Sequence, residues 1–265
     1  KKPIIEKLGL KTHNEKKIVK RSKDIQNSFS WQPLPGTQEE VQEIYNIIGK
    51  DNAELFTGKK AMEEKLMYWG VPKVLHLATH GFFLENQPID FKNNTKINRG
   101  FSLDPESNQL FSPSPVYVDT ENPLLRSGIV LAGANKFFKT DDNTISDGIV
   151  TSEEILGMNL RGTEMVVLSA CDTGLGEVEN GEGVFGLRRA FTQAGAKSLV
   201  MSMWKVPDKE TKELMVNFYS NIYKKGMNRG QALRQATLEQ MQITKDRYKN
   251  KNPYFWGAFV FMGES

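Results

Sequence analysis

The chain is predicted to fold as an α/β protein with a mostly parallel central sheet, doubly wound and covered by helices on both faces. Two observations predict this. Short apolar runs such as Met165 to Ala170 (MVVLSA) do not alternate with polar residues, so their strands are buried on both faces. Helical patterns separate several of these runs, the arrangement that feeds a parallel sheet.

Order is expected to begin near Thr37. Thr37 and Glu40 have capping-box spacing, and Val41, Ile44, Tyr45 and Ile48 follow at helical period. A second helix is expected from about Lys59 to Trp69, ended by Gly70 and Pro72. The run from Val74 to His80-Gly81 is a buried strand stopped by glycine. Residues 86–123 are polar and rich in Asn, Ser and Pro, and are predicted to be a long insertion. GIVLAG at 128–133 and MVVLSA at 165–170 are further strands. A helix with Val184, Leu187, Ala190, Phe191 and Ala194 on one face follows, closed by Gly195. Ser198 to Met203 is a strand. Helices are expected from Asp208 to Gly226 and from about Gly230 to Ile243, and a last strand from Trp256 to Met262.

The 265 residues can bury a large core, and 38% hydrophobic with 25% charged residues is an ordinary globular balance. No apolar run is long enough to cross a bilayer, and no apolar leader opens the chain. A start at Lys1 suggests a fragment or a processed chain. The single cysteine excludes an intramolecular disulfide and, beside three histidines, a zinc-finger cluster. Residues 1–30 carry nine basic and three acidic residues. This arm could touch nucleic acid or lipid, but a solvated linker is the simpler expectation. Residues 1–33 are accordingly assigned to a peripheral segment and 34–265 to the folded domain.

In open parallel sheets, sites form beyond the carboxyl ends of strands. Two strands end in useful chemistry, one at His80-Gly81 and one at Cys171 within SACDTG. They stand 91 positions apart, but neighbouring parallel strands would bring them together. An imidazole can take the thiol proton and later protonate a leaving amine. The N–H groups of Gly81 and Cys171 could face the oxyanion. A small buried hydrophobe at Cys171 and a hydrogen-bonded strand-end histidine at His80 are the plain alternatives. His76, on the same strand and face ~13 Å deeper, is assigned to packing with a buried hydrogen bond. The glycines from 174 to 183 lack the spacing of a phosphate loop, and Glu177, Glu179 and Glu182 would repel phosphate.

The sequence resembles the CHAT family, caspase-like domains of the caspase and separase clan. The resemblance rests on LPGT at 34–37, LHLATHGFF at 75–83 and LLRSGIVLAGAN at 124–135. It rests also on LSACDTGLGEVENGEGVFGLRRAFTQAGAKSLVMSMWKVPD at 168–208 and YFWGAFVFMG at 254–263. It implies a caspase-like α/β/α sandwich, with His80 as general acid/base and Cys171 as nucleophile of a cysteine endopeptidase. It implies that Ser169 faces the first specificity pocket and that Asp208 receives a basic substrate side chain. Asp208 also looks like the N-cap of the following helix. Asp172 could meet substrate or solvent, and Trp204 could line the groove or pack. No metal or organic cofactor is expected.

The expected setting is a cytoplasmic, bacterial-type thiol protease governed by a partner or a tetratricopeptide-type repeat region outside this chain. No 34-residue repeat is visible within it. Nucleic-acid and membrane contacts are not expected of the folded domain. The alternatives are a non-cleaving binding or signalling module and a small-molecule thiol hydrolase.

Overall fold

A computed structural model describes residues 31–84, 122–137, 146–169 and 182–265, with backbone only for 137 and 182–185. In chain order the helices are α1 (Pro35–Ile48), α2 (Glu63–Tyr68), α3 (Ala134–Phe137), α4 (Ser152–Leu156), α5 (Glu182–Ala194), α6 (Asp208–Tyr223) and α7 (Arg229–Tyr248). The strands are β1 (Val74–Leu77), β2 (Gly81–Phe83), β3 (Ser127–Val130), β4 (Ile149–Thr151), β5 (Met165–Leu168), β6 (Ser198–Ser202) and β7 (Phe259–Gly263).

The central sheet has the order β1-β5-β6-β7. β1, β5 and β6 are parallel, and β7 closes one edge antiparallel to β6. The buried strands have two apolar faces, each with its own helical layer. Val166, Leu168, Leu199 and Met201 pack with Leu187, Ala190 and Phe191 of α5. Met165, Val167 and Val200 point the other way, toward Ile44 of α1, Leu214 and Phe218 of α6 and Ala232 of α7. This is the three-layer sandwich expected from the sequence. The α5 helix closes at Gly195, whose φ of +113° favours glycine.

A second sheet, β2-β3-β4, is antiparallel throughout. The GIVLAG strand belongs here rather than beside the parallel strands. β2 and β4 carry no signal in the sequence, because three-residue strands show no period. β3 passes so near β2 that a Cβ on Gly128 would lie 2.7 Å from the Phe82 ring.

Three helix expectations need correction. The helix expected from Lys59 to Trp69 is a 3-10 turn at Gly58–Lys60 followed by α2. Thr37 and Glu40 form no capping box. The α1 helix begins at Pro35, the Thr37 hydroxyl donates to Leu34 O at 2.7 Å, and Glu40 turns inward. Asp208 is the first residue of α6 rather than its cap, and Pro207 precedes the helix with no side-chain cap bond. The predicted insertion at 86–123 lies almost wholly outside the described residues.

Candidate active site

β1 and β5 are neighbours in register, with Leu77 opposite Leu168, so their carboxyl ends open on the same edge of the sheet. Ser169 extends the pairing through its N–H, which donates to Leu77 O at 3.1 Å. Cys171 and Asp172 come two and three positions later and lie outside the described residues. His80 is not on β1, as the sequence suggested. The strand stops at Leu77, and His80 stands three residues on, immediately before β2. The turn between them is pinned by the Thr79 hydroxyl, which donates to Val130 O.

His80 is buried and firmly oriented. Its Nε2 lies 2.6 Å from the Gln32 carbonyl. A carbonyl only accepts, so in the neutral ring Nε2 carries the hydrogen and the lone pair sits on Nδ1. The Trp31 ring packs on the imidazole, with centroids 5.4 Å apart, and on Phe82 at 6.3 Å. Trp31 and Gln32 close the segment read from sequence as peripheral. A backbone carbonyl leaves no trace in a residue pattern, so sequence reasoning missed this contact.

Gly81 has the geometry of an outward-facing donor. Val130 N–H donates to His80 O at 2.9 Å and Leu84 N–H to Arg126 O at 2.7 Å. Antiparallel ladders alternate hydrogen-bonded and non-bonded pairs, which puts the Gly81–Ile129 pair in the non-bonded class. Among the described residues β2 is an edge strand, and the Gly81 N–H points away from β3.

Ser169 and Asp208 line one shallow pocket that is open to solvent. Leu34, Gly36, Thr37 and Glu40 of the α1 region form one wall, with Ser202, Lys205, Val206 and Thr211 completing it. Ser169 is 3% exposed, and its hydroxyl has no hydrogen-bond partner among the described residues. The Asp208 carboxylate overhangs Gly36, where an added Cβ would lie 3.0 Å from Oδ2. Trp204 does not line this pocket. It is partly exposed, and its indole N–H donates to Tyr254 O at 3.2 Å.

The pocket is tied to both candidate residues through the chain. Leu34 lies two residues after the Gln32 that holds His80, and Ser169 lies two before Cys171. A family model described as CHAT domain matches residues 6–264. The chain belongs to the CHAT domain family. Tetratricopeptide repeat protein 28 of Mus musculus is 22% identical to it over 240 residues, and that of Homo sapiens is 24% identical over 247. Each match covers 90% of this chain and 9% of the relative, so the CHAT domain spans about a tenth of the curated relatives' length.

His76 of the CHAT domain takes a separate role. Its Nδ1 is 3.0 Å from the Tyr219 hydroxyl and its Nε2 is 2.9 Å from Glu40 Oε1. Burial holds the Tyr219 hydroxyl far above its usual pKa, with the Tyr223 and Glu40 charges adding to the effect. In the neutral ring the Tyr219 hydroxyl donates to Nδ1 and the Nε2 hydrogen faces the Glu40 carboxylate. Glu40 is 1% exposed and also lines the pocket. Glu40→Ala is expected to destabilise the fold by about 2–4 kcal/mol, since it strands a buried imidazole N–H. Urea denaturation measures this. A loss below about 1 kcal/mol would remove the network from the stabilising interactions.

Among the described residues no group of three or more His, Cys, Asp or Glu could hold a metal ion. No helix among them is long and apolar enough to cross a membrane.

Proposed function

We propose that this CHAT domain is a cysteine endopeptidase that cuts a protein after a basic residue. The observation that supports the reading is His80, oriented by the Gln32 carbonyl, together with a pocket that holds Asp208 and Ser169, the latter two residues before Cys171.

In the proposed reaction the His80 Nδ1 takes the Cys171 thiol proton, and the sulfur attacks the scissile carbonyl. The Gly81 and Cys171 N–H groups receive the developing oxyanion. The tetrahedral intermediate expels the amine, which takes its proton from Nδ1 and leaves a thioester. Water, deprotonated by the same nitrogen, then hydrolyses the thioester and restores the thiol. Gln32 O keeps Nε2–H in place throughout, so the base presents the same nitrogen at each step. No step needs a metal or an organic cofactor.

The substrate's basic side chain enters the pocket between Ser169 and Asp208. Ser169 Oγ can donate or accept there, and Asp208 supplies the charge. Asp172 is proposed as a further substrate contact beside the nucleophile, and Trp204, outside this pocket, keeps its contact with Tyr254. The names of the relatives support a control region of tetratricopeptide-type repeats outside this chain.

The test is digestion of a diverse unstructured-peptide library, read by mass spectrometry, with wild type and Cys171→Ala. Cuts after Lys or Arg that vanish in the variant support the whole reading. Cuts after other residues keep the chemistry and reject the pocket assignment. An absence of cuts, with or without a repeat region attached, favours a caspase-fold binding module.

A further inference from the structure

We infer that Asn135 is a positioning residue for His80, acting through the backbone of Trp31. This rests on His80 being the base proposed above. The carboxamide of Asn135 holds both polar groups of one residue: Trp31 N–H donates to Oδ1 at 2.8 Å, and Nδ2 donates to Trp31 O at 2.8 Å. The pair bridges 104 positions of sequence and reproduces what a neighbouring strand would do. One residue further on, the Gln32 carbonyl meets His80 Nε2 at 2.6 Å.

This carbonyl decides which imidazole nitrogen carries the lone pair. It is a backbone atom, so no side chain of its own residue can place it. Placement falls to whatever fixes the peptide on either side. On the upstream side that is Asn135, with the Trp31 ring wedged against His80 and Phe82. Asparagine suits the task because one short side chain offers a donor and an acceptor in a plane. Aspartate would keep the acceptor and set a charge against the Trp31 carbonyl. Alanine would offer neither.

Asn135 is itself held firmly. It occupies the first turn of α3, next to the buried Ala134. The chain leading into β4 braces that turn so closely that a Cβ on Gly148 would lie 2.5 Å from Ala134 N. Asn135 is exposed, so removing its carboxamide opens no cavity. A fold-wide effect of the substitution is therefore not expected, and an effect on His80 is.

The experiment uses protein labelled with ¹⁵N-histidine and long-range proton–nitrogen spectra of the imidazoles. Only His13, His76 and His80 contribute, and His13→Ala and His80→Ala assign them. In wild type, His80 should show its hydrogen on Nε2. In Asn135→Ala and Asn135→Asp, His80 should become a mixture of tautomers, and kcat should fall about 10-fold with KM unchanged. His76, held separately by Glu40 and Tyr219, should keep its pattern and serves as the internal control.

A His80 that remains a single Nε2–H tautomer in both variants would overturn the proposal. So would a change in His76 as large as that in His80, because it would signal general loosening. The spectra need no turnover. Failure of wild type to cut peptides would remove the peptidase reading and leave the clamp standing.

Discussion

Alanine in place of His80 or Cys171 is expected to lower kcat/KM for a cleaved peptide by roughly 10⁴-fold. The double variant is expected to fall no further than the worse single one. The physical reason is that the two groups perform one step. Without the imidazole, the thiol must lose its proton to water. Without the sulfur, the oriented base has nothing to activate. Independent contributions would instead multiply. A second readout isolates the proton transfer from peptide binding. Alkylation of the lone cysteine should proceed in wild type well below the ordinary thiol pKa of about 8.5, and should return to that value in His80→Ala. Retention of activity within about tenfold in His80→Ala would sink the dyad. So would multiplicative losses.

The legible and illegible parts of this molecule divide by interaction range. Val166, Leu168, Leu199 and Met201 belong to unbroken apolar runs, and such runs announce a strand buried on both faces. The sandwich was readable for that reason. His80 and Cys171, residue types with scarce chemistry, follow such runs, which is why the sequence offers them as a candidate pair, and Cys171 lies outside the described residues. Glu40 was not. Its spacing from Thr37 imitates a capping box, and only the tertiary position of His76 and Tyr219 draws it inward. Asp208 misled in the same way, since an acidic residue opening a helix looks like a cap whether or not it bonds there. The Gln32 carbonyl and the Asn135 clamp were invisible, because one is backbone and the other joins residues 104 positions apart. β2 and β4 were missed because three residues cannot display a period, whereas the β3 run was legible.

Selectivity for basic side chains should depend on Asp208. Asp208→Asn keeps the shape of the pocket wall and removes the charge. It is expected to cost about 10²-fold in kcat/KM for peptides cut after Lys or Arg, and little for peptides with a neutral residue there. The partial exposure of Asp208 limits the effect, and the exposed Lys205 on the same wall offsets part of the field. Gly36→Ala offers an independent route to the same outcome with the charge intact. Its new Cβ would lie 2.5 Å from Asp208 Cβ, so Asp208 and α1 must shift apart and the carboxylate loses its present place. The competing account makes Asp208 only a favourable acid in the first turn of α6. That role is worth about 0.3–1 kcal/mol of stability and would leave the ratio of basic to neutral cleavage unchanged. Paired kcat/KM measurements on Lys, Arg and neutral peptides separate the two. A ratio that survives both substitutions would move the specificity pocket elsewhere along the β5–β6 edge, with the His80–Cys171 chemistry untouched.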